Sequence, residues 1–291
     1  MEGNDGRVEM KILVAGAAGY LGQSLIQVLA GRGHEVLGLD VREGPLAKLA
    51  QHLKESLVVD LTQPEALRGR LDGVQVVIST VGLELPRKDL SYWDIDYTAN
   101  LHLLKEAERA GVKKFLYVSV IRADAEGDVP PLIHAKREFE RELRSSKLQW
   151  VIFRPTSYFK DIVNIFLNVA RTGTIRLVGT GAMKVNPLHP LDFSEFIVDH
   201  LDTVNEVLEV GGPDLMTYKQ LGQLAFDVLQ QPARFSYMSP GELRAIIMVK
   251  KLFKPVLVPL FQFTLWCTTR DMVAPQIGKR RIHEALAQAA K

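Results

Sequence analysis

Three glycines, Gly16, Gly19 and Gly22, stand at regular spacing between a short apolar run, Lys11–Ala15, and a stretch from Tyr20 that carries Leu21, Leu25 and Leu29 at helical intervals. Glycines so placed suit a strand-to-helix turn that seats a diphosphate. One makes the tight turn, one lets backbone approach the phosphates, and one lets the helix pack on the strand. The helix then aims unpaired N–H groups and the positive end of its dipole at the anion, with Tyr20 and Leu21 in its first turn. In a chain with 22 glycines the spacing alone is weak evidence. An acidic residue about 20 positions further on completes the dinucleotide pattern. Asp40, at the end of the next apolar run, is that residue.

A carboxylate at Asp40 can accept hydrogen bonds from both hydroxyls of an adenosine ribose, and it opposes a 2′-phosphate. At roughly 4 Å in an effective dielectric of about 20, that repulsion is about 4 kcal/mol per charge pair. The expected cofactor is therefore NAD(P), with NAD slightly favoured over NADP. Arg42, two residues later, is the counterweight that can offset the carboxylate.

The elements that must position these residues follow from alternation. Predicted strands at Lys11–Ala15, Glu35–Asp40, Leu57–Asp60, Val74–Ser79, Lys114–Ser119 and Gln149–Phe153 alternate with helical patterns at Tyr20–Ala30, Leu46–Leu53, Pro64 onward, Trp93–Ala110 and Pro131–Arg144. Strands apolar enough to be buried on both faces, separated by helices, predict an α/β, doubly wound parallel (Rossmann) sheet. After Arg154 the regularity fades. Gly- and Pro-rich stretches separate helical patterns at Leu191–Leu201, Tyr218–Leu229 and Ser239–Leu252. The expected organisation is a dinucleotide-binding domain over 8–156, a return of the chain to it around 184–210, and a second, smaller C-terminal lobe over 157–291.

Composition limits the function classes. With 36 basic and 34 acidic residues the net charge is +2, which gives no electrostatic case for nucleic acid. The one cysteine, Cys267, excludes an internal disulfide framework and paired-cysteine zinc sites, and no metal site is expected. The opening Met1–Met10 is polar and charged, unlike a secretory signal, and a reducing, cytoplasmic setting is expected. Residues 245–267 are strongly apolar but hold three lysines and two prolines, so they do not read as a spanning helix. They pack a core of their own, or they meet a membrane surface or a protein partner, since lysines can snorkel.

The segments VAGAAGYLG, VVDLTQPEAL, VVISTVG, DYTANLHLLKEAERAGVKKFLYVS and VIFRPTSYF occur in that order. Together they resemble the short-chain dehydrogenase/reductase superfamily, in its atypical branch similar to NmrA-like and extended, epimerase-like proteins. The resemblance covers about residues 10–160 and thins beyond. It implies that Asp60 and Leu61 flank the adenine, that Thr80, Val81 and Gly82 line the cofactor ribose, and that Pro155 and Thr156 border the nicotinamide. It implies further that Ser119 is the active-site serine and that Lys136 is the active-site lysine holding the nicotinamide ribose.

One departure bears on chemistry. The superfamily's proton-relaying tyrosine stands four residues before its lysine, and here that residue is Leu132. On a helix these positions share a face, and leucine transfers no proton. His134 lies elsewhere on the same helix and reads as a solvent-facing or packing residue. Tyr158 is the candidate replacement donor, ahead of Tyr92, Tyr97 and His189, each of which reads more simply as structural. Tyr92, Trp93 and Tyr97 form either core or a wall of the substrate pocket. The expected activity is an NAD(P)-dependent oxidoreductase acting on a small-molecule substrate. The alternatives are a non-catalytic NAD(P)-binding redox sensor or assembly scaffold, and a nucleotide-sugar epimerase, against which the missing tyrosine argues. The sequence leaves the oligomeric state open.

Overall fold

In the computed structural model, which describes residues 9–291, seven strands form one parallel sheet. They are β1 (Lys11–Ala15), β2 (Glu35–Asp40), β3 (Glu55–Val58), β4 (Val76–Ser79), β5 (Lys114–Val118), β6 (Gln149–Pro155) and β7 (Glu206–Val210). Their spatial order is β3-β2-β1-β4-β5-β6-β7, so the direction of winding reverses between β1 and β4. That reversal opens a crevice at the strands' C-terminal ends, where open α/β sheets bind ligands. The polar opening stretch, Met1–Val8, lies outside the described residues.

The helices that position the site are α1 (Tyr20–Gly31), α2 (Asn100–Arg109), α3 (Pro131–Ser145) and α4 (Pro190–Asp199). Each buries an apolar stripe against the sheet, because side chains three and four residues apart share a face. On one side Leu21, Leu25 and Leu29 of α1 meet Phe193 and Ile197 of α4, with Val14 and Ile78 beneath. On the other, Leu103, Leu104 and Ala107 of α2 and Phe139 and Leu143 of α3 cover Leu13, Val77 and Tyr117. Residues 190–210 thus lie in the sheet's own layers, and β7 extends the sheet beside β6.

A third apolar cluster joins Phe159, Phe166, Leu221, Phe226 and Trp266. Around it stand two small two-stranded sheets, a helix at Tyr218–Val228, and a helical pair, α5 (Pro240–Phe253) and α6 (Val258–Thr268). Asp192 ties the last segment of chain to α4, accepting from the N–H groups of Lys279 and Arg280 and from the Arg280 guanidinium.

Two local readings change. The stretch Trp93–Ala110 is one continuous run, but its first part, Trp93–Ala99, is a wide π-helical turn that becomes α-helical only at Asn100. The predicted helix Leu46–Leu53 is two short pieces, Glu43–Ala47 and a 3-10 turn at Ala50–His52. Strand β3 begins at Glu55, before the predicted Leu57, and draws the chain into extended form too soon for a longer helix.

Candidate functional site

The glycine turn has the geometry its composition asks for. Gly16 has φ +78°, and a Cβ there would stand 2.6 Å from the Thr80 hydroxyl oxygen. A Cβ on Gly22 would stand 2.2 Å from the Gly16 carbonyl oxygen, so this glycine lets α1 sit close on β1. The turn is pinned from below: the Gly16 and Ala17 N–H groups donate to the Leu39 carbonyl at 2.9 and 3.1 Å. Gly19 caps α1 without a side-chain acceptor, and the first turn of α1 holds no acidic residue. The opening N–H groups of a helix have no partner within it. This cradle therefore fits a diphosphate.

Asp40 is buried and already fully hydrogen-bonded. Its Oδ2 accepts from the Ala18 N–H at 3.0 Å, and its Oδ1 accepts from the Arg42 N–H at 3.0 Å. The Arg42 guanidinium closes on the same carboxylate through Nε at 3.0 Å and Nη2 at 3.3 Å. Arg42 is half exposed, so its fork can leave while Asp40 stays fixed. At the far side of the turn, Thr80 donates its hydroxyl to the Ala15 carbonyl at 3.0 Å. Asp60 is exposed and accepts from Thr62, while Leu61 is buried and its carbonyl lies 2.9 Å from His102 Nδ1.

Three side chains meet above the crevice. Lys160, just beyond β6, donates to Glu84 Oε1 at 2.6 Å, and its ammonium stands 5.9 Å from the centre of the Tyr20 ring. Glu84 belongs to the stretch that follows Gly82, and its charge also reaches Arg42. Tyr158 packs edge-to-face against Tyr20 at 5.9 Å. Burial pushes both phenols above their ordinary value.

Lys136 faces inward. Its ammonium forms a 3.1 Å ion pair with Asp96 Oδ1 and donates to the Val118 carbonyl at 3.3 Å and the Tyr117 hydroxyl at 3.4 Å. Burial raises the Asp96 carboxyl above the usual range, and Lys136 opposes that rise. Asp96 Oδ2 accepts from the Leu83 N–H at 3.1 Å, and a Cβ on Gly82 would stand 3.0 Å from Asp96 Oδ1. Asn100 adds to this anchoring: it accepts from the Ser79 hydroxyl at 2.6 Å and donates to the Val81 carbonyl at 3.3 Å. The stretch Val81–Leu83 is therefore held by Asp96 and Asn100, with Lys136 neutralising the aspartate.

Ser119 is likewise turned inward. Its hydroxyl donates to Glu140 Oε1 at 2.6 Å, and Arg154 grips the same carboxylate through Nε at 3.1 Å and Nη2 at 2.8 Å. Thr156, after the buried Pro155, donates to the Asn186 carbonyl at 2.6 Å. Leu132 is half-buried near the start of α3, and His134 is exposed, 3.5 Å from Glu138. Trp93 stacks on Tyr97 at 4.4 Å and remains 43% exposed, while Tyr97 packs partly buried against the core layer under α2 and α3, and Tyr92 is buried with its phenol pushed up to about 12. His189 caps α4, its Nδ1 accepting from the Leu191 N–H at 3.2 Å.

The structure brings the glycine turn, Asp40, Arg42, Thr80 and Gly82 to one crevice, with Lys136 directly behind it. Sequence reasoning missed Asp96, Asn100, Glu140 and Arg154, all buried. Among the described residues, no group of three or more His, Cys, Asp or Glu side chains is placed to hold a metal.

This crevice and sheet define a class, a Rossmann protein that binds a nicotinamide dinucleotide. The chain belongs to the NAD(P)H-binding family, whose match spans residues 16–165, just over half of the 291 residues. It is 29% identical over 250 residues to the divinyl chlorophyllide a 8-vinyl-reductase of Oryza sativa subsp. indica, covering 78% of this chain and 60% of the relative. It is 25% identical over 206 residues to the photosystem II assembly factor Ycf39 of Cyanophora paradoxa, covering 70% of this chain and 64% of that one. The chain thus spans less than two thirds of the length of these curated relatives. Among solved structures, the triphenylmethane reductase of Citrobacter sp., complexed with NADP(H), superposes with a TM-score of 0.75 at 18% identity, over 96% of this chain and 99% of that one. That likeness is one of fold.

Proposed function

We propose that the chain is an NAD(P)-dependent oxidoreductase of the atypical short-chain type, acting on a small molecule held between the strand ends and the C-terminal lobe. The observation that carries this reading is the uncapped start of α1 behind a glycine turn that Asp40 fastens through the Ala18 N–H. Such a turn presents amide donors to a diphosphate at no cost in reorganisation. A bound nicotinamide supplies hydride transfer. The chain's own part is to seat the phosphates, to fix the Val81–Leu83 stretch through Asp96 and Lys136, and to exclude water with the second lobe. The name of the rice relative, a reductase, supports the assignment.

The Asp40–Arg42 pair governs the choice between NAD and NADP. With Arg42 withdrawn, Asp40 is free to accept from ribose hydroxyls and NAD is preferred; with Arg42 in place, the guanidinium tempers the charge that a 2′-phosphate would meet. We assign both dinucleotides as ligands, NAD slightly the tighter. A reducing, cytoplasm-like compartment suits the single thiol.

A second reading, a dinucleotide-binding sensor or assembly factor without turnover, draws on Ser119. Its one hydroxyl hydrogen goes to Glu140, and Leu132 stands where a proton donor is needed. The name of the Cyanophora relative supports this alternative. Titration with NADH and NADPH, followed by assay against a panel of carbonyl and activated-alkene substrates, separates the two. Binding with turnover establishes the oxidoreductase, binding without any turnover establishes the sensor, and absence of binding removes both.

A further inference from the structure

Helix α5 carries its apolar stripe on the wrong side for a soluble protein. Ala245, Met248, Val249 and Leu252 recur at the three- and four-residue spacing of one helical face, and all four are exposed, Met248 at 66% and Leu252 at 78%. Phe253, at the end of the helix, is 78% exposed as well. Of the fourteen residues of α5 only Leu243 is buried, and the helix leans on α6, which in turn lies against α3.

Beyond Glu242, which closes the capping box with Ser239 in the first turn of α5, the charges around this stripe are of one sign. No Asp or Glu occurs from Leu243 to Arg270, while Arg244, Lys250, Lys251, Lys254 and Arg270 lie within that span, in a chain whose net charge is only +2. Arg244 and Lys251 are seven residues apart and run along one border of the stripe, and Lys254 follows its end. An apolar face bordered by cations is the arrangement by which a helix lies in a bilayer interface, with lysine and arginine stems reaching up to anionic headgroups.

We propose that α5 docks this protein on the surface of an anionic lipid bilayer, with Met248, Val249, Leu252 and Phe253 entering the acyl boundary. The patch is one face of a fourteen-residue helix, about 21 Å long, and so small a face favours lipid over a protein partner. A stable protein interface buries about 800 Å² on each side, whereas interfacial insertion needs one helix face only. No described helix is long and apolar enough to cross a membrane, and the attachment proposed is that of one helix lying in the interface.

The test is co-sedimentation of the full chain with vesicles of phosphatidylcholine alone and with vesicles of equal parts phosphatidylcholine and phosphatidylglycerol. Two double variants accompany it, Leu252→Ser with Phe253→Ser, and Lys251→Glu with Lys254→Glu. All four side chains are exposed, so both variants keep wild-type circular dichroism and dinucleotide affinity. The expected result is binding to the mixed vesicles about tenfold or more above that to phosphatidylcholine, reversed by high salt, and lost in both variants. Equal binding to the two vesicle types, or none, overturns the proposal, as does retention of binding by either variant. A self-association in the ultracentrifuge that the Leu252→Ser, Phe253→Ser variant abolishes, with no vesicle binding, assigns the face to a second copy instead.

Discussion

Lys136 Nζ stands 3.1 Å from Oδ1 of Asp96, a carboxylate fully buried beneath the Val81–Leu83 stretch, and this ion pair carries the back wall of the crevice. Removing one partner from a buried pair leaves an uncompensated charge, a loss of about 3–5 kcal/mol. Lys136→Met is expected to lose stability on that scale in urea unfolding, and Asp96→Asn in the same chain to restore much of it. The pH dependence has a definite sign. Burial holds the Asp96 carboxyl above its ordinary 3.8, and without Lys136 it rises further. The folded variant then binds a proton that the unfolded chain has released, so its stability falls as pH rises from about 4 through the folded value. A Lys136→Met protein of wild-type stability that merely binds dinucleotide less well would place the lysine on the cofactor and not on Asp96.

Arg42 and Asp40 make a prediction about selectivity. The guanidinium fork is the positive group nearest the Asp40 carboxylate. A charge-assisted hydrogen bond contributes about 1.5–3 kcal/mol. Arg42→Ala is therefore expected to weaken NADPH binding by about tenfold or more while leaving NADH binding unchanged or slightly tighter. Isothermal titration with both dinucleotides checks this, and an equal loss for the two would show that Arg42 acts on something they share.

The same pair illustrates what the sequence displays and what it hides. Strands β1 and β2 have the predicted bounds, because short apolar runs ended by Gly16 and by Asp40 admit few alternatives. The site's inner layer was hidden by a polar residue's habit of facing water. Asp96 and Asn100 are four residues apart and belong to the buried face that continues through Leu103, Leu104 and Ala107. Polar residues in phase with an apolar stripe were the available signal. Lys136 and Glu140 share a face in the same way, with Ile133 and Leu143, and a lysine–glutamate spacing usual on solvent faces lies wholly inside. The direction of the Ser119 hydroxyl depends on Glu140 and Arg154, which adjoin it only after β5, α3 and β6 have packed.

Glu84 and Lys160 bridge above the glycine turn at 2.6 Å, beside the ring of Tyr20. Both are substantially exposed, and an exposed pair contributes about 0.2–1 kcal/mol. The Glu84 carboxylate also adds negative charge next to the seat of a diphosphate. Glu84→Gln removes that charge and frees Lys160, so it is expected to tighten NAD(P)H binding about two- to fivefold while lowering stability in unfolding by no more than about 1 kcal/mol. Fluorescence titration at low salt reads the change, and high salt should narrow it. Weaker binding in the variant would mean that Glu84 holds the crevice open.

His189 gives the fold an acid limit. Its Nδ1 accepts from the Leu191 N–H to cap α4, and α4 holds both α1 and, through Asp192, the C-terminal segment. An imidazolium has no lone pair at Nδ1. Burial, with the nearby charge of Arg280, lowers the His189 pKa from 6.5. The unfolded chain therefore takes up a proton before the folded one does. The stabilising contribution is complete above about pH 6.5 and is lost as pH falls from there through the folded value. Loss of an N-cap costs about 1 kcal/mol. Urea unfolding at about pH 7.5 and about pH 5.5 should show a deficit of that order at the lower pH. In His189→Asn, whose amide oxygen caps without titrating, this part of the pH dependence should disappear, and a variant with the wild-type slope would move the acid limit to another group.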